Sequence, residues 1–445
     1  MKILFVSLGC DKNLVDSEVM LGLLGESGYT FTDDEAEAEI VIVNSCCFIG
    51  DAKEESINTI LQMAELKKTG VCKALIVTGC LSQRYREEIK KEIPEVDGIV
   101  GTAAYDKIVD VIHRALGGEL AEGFCDLKRL PEVGTKRVLT TGGWYGYLKI
   151  AEGCNKNCSY CIIPKIRGPY RSVPMEKLLA QAQELADKGV KELIVVAQET
   201  TLYGYDLYKE KKLPALLKEL CKIEEIRWIR LLYCYPEEIT EELVQTIKTE
   251  KKICHYLDIP IQHASDSILR RMGRRTSKEQ LCSTIEYLRR EIPDIVLRTT
   301  LIAGFPGETE EEHKEVMDFV DAMEFDRLGV FAYSPEEDTK AALMEGQISE
   351  EQKETWRNEL MELQQEIAFE RAQNMVGRTL EVFIEGKLAD EDVYMGRTYM
   401  DAPGVDGYVF VNAHRELLSG DFVNVRITGA LEYDLIGEIE HEFAE

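Results

Sequence analysis

The sequence predicts an α/β protein with three parts: an N-terminal parallel-sheet α/β domain, a central partial (β/α)6 barrel of the TIM type and a C-terminal five-stranded antiparallel β-barrel. Three observations predict this fold class. Apolar runs alternate with helical stretches near the N-terminus, a second alternation of six units begins at Trp144, and five short strand-like runs follow a long helix. We expect the domains to span residues 1–125, 140–370 and 373–445.

In the first domain, three apolar runs rich in β-branched residues predict buried strands, each followed by a cysteine and then a helix. The runs are Ile3–Leu8, Glu39–Asn44 and Ala74–Thr78, the cysteines are Cys10, Cys46 and Cys80, and the helices are Ser17–Leu24, Asp51–Lys67 and Arg84–Ile93. Because the carboxyl ends of parallel strands meet at one edge of a sheet, we expect the three cysteines to lie together there. The repetition favours a cluster site over the alternative, three buried structural thiols.

A linker at Asp126–Gly143, rich in Gly, Thr and charge, separates this domain from the central part. The predicted central strands are Tyr147–Ala151, Glu192–Ala197, Trp228–Tyr233, Tyr256–Pro260, Val296–Ile302 and Leu328–Ala332. The predicted helices are Met175–Lys188, Pro214–Ile223, Glu237–Thr246, Lys278–Glu291 and Glu310–Met323. Six units predict a partial barrel rather than a closed eight-fold one, with its site at the carboxyl ends of the strands.

A CxxxCxxC pattern follows the first central strand, and its cysteines are Cys154, Cys158 and Cys161. Three thiolates in one loop can hold three irons of a [4Fe–4S] cluster, which leaves one iron open to a small molecule. Structural zinc, the alternative, needs four ligands and usually C-x2-C pairs. The chain has thirteen cysteines, an odd number, and no secretory signal is evident, which argues against disulfides and for a reducing compartment.

The composition is that of an ordinary soluble protein, with 445 residues of which 45% are hydrophobic and 30% are charged. The apolar N-terminal run is too short for a signal peptide, and no apolar run reaches the length of about 18 residues that spans a membrane. We therefore expect a cytoplasmic protein that does not bind membranes. The formal net charge of −28 repels DNA and RNA and attracts a basic protein partner.

Ser349 and Gln352 form a capping-box pattern that opens a long helix ending near Met375. The five strands predicted after it are Arg378–Gly386, Asp392–Tyr399, Gly407–Val411, Asp421–Thr428 and Tyr433–His441. From residue 376 onward the chain holds five Arg/Lys and fifteen Asp/Glu, which is a formal charge of −10. Because an RNA-binding barrel needs a basic face, this charge argues against direct RNA binding by the last domain.

The cysteine loop, with Tyr160 just before its third cysteine, resembles the signature of radical S-adenosylmethionine (SAM) enzymes. With a three-cysteine domain before it and a small barrel, called TRAM, after it, essentially the whole chain resembles the radical SAM methylthiotransferases. Three stretches are similar to the RimO-type branch, which modifies ribosomal protein S12, and differ from the tRNA-modifying branches. They are SLGCDKNLVDSE (7–18), IPKIRGPYRS (163–172) and IPIQHASD (259–266).

The resemblance implies two [4Fe–4S] clusters and SAM as cofactors. It implies that Cys154, Cys158 and Cys161 bind the SAM-cleaving cluster and that Cys10, Cys46 and Cys80 bind an auxiliary cluster. Cys47 directly follows Cys46, where the family usually has a small residue; Cys46 is preferred because it keeps the Asn44-Ser45-Cys46 register. Asp11 stands where proline is common, which we expect to be harmless in a loop.

Four further residues are expected SAM contacts by resemblance: Tyr160, Gln198, Glu199 and Arg298. Tyr160 would flank the adenine, the Gln198–Glu199 pair would hold the methionyl amino group, and Arg298 would meet the carboxylate or ribose. Each also fits an ordinary role, namely a half-buried aromatic, a solvated loop pair and a salt-bridged arginine.

The reaction implied by the resemblance is insertion of a methylthio group at the β-carbon of an aspartate of ribosomal protein S12. A 5′-deoxyadenosyl radical from SAM would remove the hydrogen, sulfur would be delivered through the auxiliary cluster, and a second SAM would be the methyl donor. An electron donor such as flavodoxin or ferredoxin would be a further partner. Two alternatives stay open: methylthiolation of an adenosine in tRNA, and a non-catalytic iron–sulfur or zinc-binding interaction protein.

Overall fold

The computed structural model describes residues 1–132, 136–389 and 391–440 of the chain. The first domain contains, in order, β1 (Lys2–Ser7), α1 (Asp11–Glu26), β2 (Thr30–Phe31), β3 (Ile40–Ser45), α2 (Gly50–Thr69), β4 (Ala74–Gly79), α3 (Cys80–Arg84), α4 (Arg86–Glu92), β5 (Gly98–Val100), α5 (Ile108–Leu116) and β6 (Ala121–Gly123). Within the described residues these strands form one parallel sheet of six, in the order β2-β1-β3-β4-β5-β6.

The two central strands β3 and β4 are buried along their whole length, because their apolar and β-branched side chains are covered on both faces. Ser7 pairs with Asn44, and Asn44 pairs with Thr78, so the carboxyl ends of β1, β3 and β4 are aligned. The predicted parallel sheet is confirmed. The short strands β2, β5 and β6 were not predicted, since two or three residues carry no readable periodicity.

The central domain contains β7 (Tyr145–Lys149), β8 (Ala151–Glu152), α6 (Ile163–Ile166), β9 (Arg171–Ser172), α7 (Met175–Asp187), β10 (Glu192–Val196), α8 (Tyr205–Tyr208), α9 (Leu213–Leu220), β11 (Trp228–Leu231), α10 (Glu241–Thr249), β12 (Ile253–Asp258), α11 (Asp266–Met272), α12 (Lys278–Glu291), β13 (Val296–Ala303), α13 (Glu310–Met323), β14 (Arg327–Ala332) and α14 (Glu350–Gln373). In the described chain, six of these strands pair in parallel in the order β7-β10-β11-β12-β13-β14. This open, six-stranded arrangement confirms the predicted partial barrel.

Helix α14 begins where the capping pattern places it, because the Ser349 side chain accepts a hydrogen bond from Gln352 N at 3.3 Å. Trp356, Leu360 and Ile367 on this helix are buried in the apolar layer around the central sheet. The helix therefore closes the layer that surrounds the central sheet before the chain enters its last domain.

The last domain contains β15 (Thr379–Lys387), β16 (Val393–Arg397), β17 (Val409–Asn412), β18 (Phe422–Ala430) and β19 (Leu435–Ile439). Over the described residues these five strands close into a barrel in the order β15-β16-β17-β19-β18. Four pairings are antiparallel, and β17 pairs with β19 in parallel to close the barrel. His441, the predicted end of the last strand, lies outside the described residues.

The last barrel shares an apolar core with the central sheet. Trp228 of β11 packs edge-to-face against Phe383 and Phe422 of the barrel, with ring centroids 5.8 and 4.9 Å apart. Beside them the fully buried Glu192 accepts hydrogen bonds from Arg230 Nε at 2.7 Å and from Arg397 Nη2 at 2.6 Å. Because a lone buried carboxylate is costly, these two arginines from different domains fix the barrel on the sheet.

Candidate iron–sulfur cluster and cofactor site

The CxxxCxxC loop leaves the first barrel strand through a left-handed glycine. Gly153 has φ +79°, and a Cβ there would lie 2.3 Å from Pro169 O and 2.4 Å from Gly168 O. The loop is then fixed by its backbone, since Cys154 N donates to Gly168 O at 3.2 Å and Cys161 N donates to Cys158 O at 3.1 Å. The loop is thus held in one shape by local geometry, and only glycine fits its first turn.

The three thiols of this loop share one environment. Burial raises the pKa of Cys154 to about 11, and burial together with the thiols of Cys158 and Cys154 raises the pKa of Cys161. Lys156 N donates to Cys154 Sγ at 3.5 Å, a contact that favours the thiolate. Three neighbouring thiols, one of them with a backbone donor, fit the charged sulfur ligands that a [4Fe–4S] cluster needs.

Glu199, which follows β10, is a buried carboxylate with neither oxygen hydrogen-bonded. Its closest cation is Lys156 Nζ, 3.4 Å from Oε1. Burial raises the pKa of Glu199 to about 7; Lys156 opposes the shift and Glu238 adds to it. An unsatisfied carboxylate close to the cysteine loop is a ready acceptor for an ammonium group of a small molecule, as the Gln198–Glu199 hypothesis requires.

Gln198, the neighbouring predicted contact, is turned toward the loop backbone. Its Oε1 accepts a hydrogen bond from Gly153 N at 2.9 Å, and its Nε2 donates to Glu152 Oε1 at 2.8 Å. Gln198 therefore orients the start of the cysteine loop, while Glu199 offers the free oxygens. The two residues are adjacent in sequence and differ in what they contact.

Tyr160 and Arg298 have contrasting surroundings. Tyr160 is half-buried beside the cluster loop, and burial followed by the nearby Cys158 thiol raises its pKa well above the usual value. Arg298 on β13 donates through Nη1 to Asp258 Oδ1 at 3.0 Å and through Nε to Asp406 Oδ1 at 3.3 Å. Arg298 thus has the salt-bridged environment that the sequence offered as its alternative role.

The second set of cysteines meets at the sheet edge, although the three residues are far apart in sequence. Cys10 caps α1 and is exposed, Cys46 follows β3, and Cys80 opens α3. Burial raises the pKa of Cys80 to about 12, with the thiols of Cys46 and Cys10 adding to the shift and Arg167 opposing it. A Cβ on Gly9 would lie 2.7 Å from Cys46 Cβ, so the approach of β1 to Cys46 requires glycine there.

Cys46 and Cys47 face different surroundings. The Cys46 thiol, whose pKa burial raises, interacts with Cys10 and Arg167. Cys47 has no exposed surface and belongs to the apolar core that also contains Cys80; burial and then the Cys80 thiol raise the pKa of Cys47. The choice of Cys46 over Cys47 therefore stays a prediction from the Asn44-Ser45-Cys46 register.

A buried polar group between the two cysteine sites was missed from the sequence. It consists of Asp16, Lys149, Glu152 and Arg167. Lys149 Nζ lies 2.7 Å from Glu152 Oε2; burial alone would raise the pKa of Glu152, but Lys149 and then Arg167 lower it to about 2. The available signal was the pair of charges at Lys149 and Glu152, which end β7 and β8 and lie three residues apart in an otherwise largely apolar stretch.

Among the described residues, no three His, Cys, Asp or Glu side chains are grouped tightly enough to hold a single metal ion. No helix in this described part of the chain combines the length and the apolar character needed to cross a membrane.

Three family profiles match the chain in the order of its domains. The uncharacterized protein family UPF0004 matches residues 2–101, the Radical SAM superfamily matches residues 148–320, and the TRAM domain matches residues 376–439. Each profile thus covers one of the three structural units described above.

Among solved structures, the fold is similar to the radical SAM methyltransferase TsrM from Kitasatospora setae bound to cobalamin and a [4Fe–4S] cluster. The TM-score is 0.55 at 15% identity, over 88% of this chain and 81% of that chain. It is also similar to the cobalamin-dependent SAM radical enzyme OxsB, with TM-score 0.52 at 14% identity over 82% of this chain and 56% of that one. These likenesses concern the fold alone.

Curated relatives match over the full length. The ribosomal protein uS12 methylthiotransferase RimO of Lachnoclostridium phytofermentans is 64% identical, over 99% of this chain and all of the relative. The protein of the same name from Clostridioides difficile is 50% identical over the full length of both chains. Identity of this extent, together with the radical SAM and TRAM profiles, places the chain in the RimO-type methylthiotransferase family of radical SAM enzymes.

Proposed function

We propose that this enzyme inserts a methylthio group at the β-carbon of an aspartate of ribosomal protein S12. The observation that carries the proposal is that two separate three-cysteine sites, one on the barrel loop and one on the edge of the N-terminal sheet, face a common buried interface. The names of the full-length relatives supply the substrate. A radical initiator needs one site, and a sulfur donor held beside it accounts for the second.

The radical SAM family implies a [4Fe–4S] cluster and SAM, and we assign this cluster to Cys154, Cys158 and Cys161. We assign a second [4Fe–4S] cluster to Cys10, Cys46 and Cys80. When bound, these groups would supply the 5′-deoxyadenosyl radical that removes a hydrogen from an unactivated carbon and the sulfur that replaces it, and a second SAM would supply the methyl group. No acid or base among the protein side chains can perform that hydrogen abstraction.

The chain's own residues bind and orient. Glu199, whose oxygens have no hydrogen-bond donor and whose nearest cation is Lys156, accepts the methionyl ammonium group of SAM, and Gln198 holds the loop that begins at Gly153. Tyr160, beside the cluster loop, flanks the adenine. Arg298 is retained as a contact to the SAM carboxylate or ribose, although its pairs with Asp258 and Asp406 make it the least supported of the four.

Charge complementarity supports a basic protein substrate. The chain carries a net charge of −28, and the last 70 residues carry −10.

Reversing the exposed Glu391, Glu416 and Glu432 of the last domain to lysine should weaken S12 binding, more strongly at low than at high salt. The matched control reverses the exposed Glu279, Glu286 and Glu311 of α12 and α13. Equal losses in both triple variants would remove the docking role of the last domain.

The substrate is tested by mass spectrometry of a strain that lacks the gene. We expect the S12 aspartate to be unmodified in that strain and modified again after complementation. Loss of a methylthio-adenosine from tRNA with unchanged S12 would establish the tRNA alternative instead. The acidic last domain favours the protein substrate because tRNA binding needs a basic surface.

The non-catalytic alternative is tested by iron content and SAM cleavage. Anaerobically reconstituted protein should bind about eight irons and release 5′-deoxyadenosine when reduced. Cys154→Ala should abolish that release, whereas Cys10→Ala should retain it and lose methylthiolation. A protein that binds four irons or none and leaves SAM intact would be an interaction protein.

Three further assignments belong to this proposal. The enzyme works in the cytoplasm, where S12 and a reductant such as flavodoxin or ferredoxin are available. Its domains span residues 1–125, 140–370 and 373–445. Limited proteolysis should cut first between the first two spans. If cleavage inside one of the spans occurs earlier than cleavage of the linker, these bounds are wrong.

A further inference from the structure

The buried charges Asp16, Lys149, Glu152 and Arg167 lie where the N-terminal domain meets the central barrel, and none of their side chains is more than 8% exposed. Asp16 comes from α1 of the first domain, and the other three come from the start of the central domain. Arg167 Nη1 donates to Asp16 Oδ2 at 2.6 Å and to Glu152 Oε2 at 3.3 Å, and Lys149 pairs with both carboxylates. Two cations and two carboxylates balance one another inside the interface.

The other nitrogen of the same guanidinium points to the auxiliary site. Arg167 Nη2 donates to Cys80 Sγ at 3.4 Å and to Asn13 Oδ1 at 3.0 Å. Arg167 lies only six residues after Cys161, so one short segment carries both a ligand of the first site and a donor to the second. Because the guanidinium is only 2% exposed, water cannot take the place of these hydrogen-bond partners, and losing one of them is costly.

A continuous hydrogen-bonded path leads from Arg167 back to the SAM-side loop. Glu152 accepts from Arg167 through Oε2 and from Gln198 Nε2 through Oε1, and Gln198 accepts from Gly153 N. Gly153 directly precedes Cys154. Every step from Cys80 to Cys154 is therefore a direct contact or a covalent bond, and every link of it lies in the described residues.

The planar fork of arginine suits this position, because its two terminal nitrogens donate in different directions at fixed geometry. A lysine would carry the same charge but only one nitrogen, which cannot reach Asp16 and Cys80 in the same way. Hydrogen bonds and positive charge at a cluster sulfur stabilise the reduced, more negative state and raise the reduction potential.

We propose that Arg167 is a positioning residue shared by both cysteine sites, which fixes Cys80 relative to the SAM-side loop and raises the reduction potential of the auxiliary cluster. The inference rests on the proposed two-cluster function. It adds a residue that binds no cluster and touches neither SAM nor S12, yet links the two sites across the domain interface.

The test uses the full-length chain with Cys154, Cys158 and Cys161 all changed to alanine, so that only the auxiliary cluster loads. In this background we expect Arg167→Gln to lower the reduction potential in an anaerobic titration followed by electron paramagnetic resonance, and Arg167→Lys to lower it less. The matched control is Arg230→Gln, which removes another fully buried arginine bound to a carboxylate, Glu192, away from both cysteine sites. Its potential should equal that of the background protein.

A potential unmoved by Arg167→Gln, or moved equally by Arg230→Gln, overturns the assignment. If Arg167→Gln does not load a cluster, the titration of Arg167→Lys decides, because that variant keeps the charge and loses the fork. In the otherwise unchanged enzyme, Arg167→Lys should form less methylthio product per 5′-deoxyadenosine released; an unchanged ratio would indicate a merely structural role. If the wild-type chain binds only one cluster, the proposed function is wrong. If it binds two clusters and Arg167→Gln leaves the reduction potential of the auxiliary cluster unchanged, only the role of Arg167 is wrong.

Discussion

The two cysteine sites are built by opposite strategies. The SAM-side triad lies within eight consecutive residues, on a loop held by its own backbone hydrogen bonds and one left-handed glycine. The proposed auxiliary triad comes from residues 10, 46 and 80, which the parallel register of three strands brings to one end of the sheet. A local site can be recognised from the spacing of its residues alone. A distributed site depends on the whole sheet, so it is lost when the domain that assembles it unfolds.

The sharpest way to separate the two sites is to change one glycine in each. Gly153→Ala would put a Cβ 2.3 Å from Pro169 O, and Gly79→Ala would put one 2.4 Å from Asn44 Oδ1, both at positive φ. Alanine is strained at both positions and the backbone must move. At Gly153 the movement is confined to the loop, whereas at Gly79 it should cost more than about 1 kcal/mol of sheet stability. We expect each variant to lose about half of its iron.

The accompanying losses should differ between these variants. Gly153→Ala should lose SAM cleavage with little change in thermal unfolding, since only a loop is disturbed. Gly79→Ala should also lower the unfolding temperature, because β4 is central to the sheet. Gly118→Ala, at positive φ on the surface with no atom within 4 Å, controls for strain alone and should keep all its iron. Equal thermal shifts in the first two variants would contradict the distinction between local and distributed sites.

The second prediction concerns the docking of the N-terminal domain near the auxiliary site. Arg84 Nη1 donates to the buried Glu336 at 2.7 Å and Nη2 donates to Glu337 O at 2.8 Å. Arg84→Ala leaves Glu336 buried without its partner, which should cost about 3–5 kcal/mol in denaturant unfolding. Lys314→Ala, which breaks the exposed pair with Asp318, should cost less than about 1 kcal/mol. A similar, small loss in both would show that this interface contributes nothing to stability.

The third prediction tests the SAM side alone. Glu199→Gln removes the charge that would bind the ammonium group, and SAM affinity should fall roughly 10- to 100-fold, as expected for a hydrogen bond to a charged group worth about 1.5–3 kcal/mol. The auxiliary cluster should load normally. Binding is measured by equilibrium dialysis on the anaerobic, non-reduced enzyme.

The same carboxylate should make SAM binding dependent on pH. The pKa of Glu199 is raised to about 7, so the group is protonated below that pH and cannot attract an ammonium group. Affinity of the wild type should therefore fall as pH drops through about 7, toward tenfold per pH unit. The Glu199→Gln variant should lack this dependence; identical pH profiles would remove Glu199 from the SAM site.

The smallest predicted effect belongs to Tyr160. Its ring is half-buried beside the cluster loop, so Tyr160→Leu should weaken SAM binding by no more than about tenfold, in line with about 0.5–1.5 kcal/mol for an aromatic contact. Tyr160→Phe keeps the ring and should bind as the wild type does. A loss in the phenylalanine variant as large as in the leucine variant would assign the effect to the hydroxyl group instead of the ring.

The sequence was sufficient for features that repeat or have a fixed local spacing. The strand–cysteine–helix repeat predicted the parallel sheet, and the five turn-separated strands predicted the last barrel, while the two cysteine sites stay predictions. The parallel pairing of β17 with β19 could not be predicted from the sequence, because it depends on how the barrel closes.

Ion pairs between residues that are far apart in sequence could not be predicted either. Nothing near Arg167 in the sequence shows that it reaches Asp16, which lies 151 residues earlier. The pairing of Arg298 with Asp406 of the last domain was likewise not readable from the sequence, and its contact with SAM stays a prediction. Pairing partners distant in sequence are fixed by the assembled domains and leave no local pattern.

The pairing of Glu192 with Arg230 and Arg397 has a consequence for how such enzymes can be remodelled. Cutting off the last barrel would leave Arg230 as the remaining charged partner of Glu192 and would expose the ring of Trp228. The barrel is therefore not a detachable module. Exchanging it for one with another substrate preference would succeed only if the replacement carried an arginine at the position of Arg397 and aromatic rings to receive Trp228.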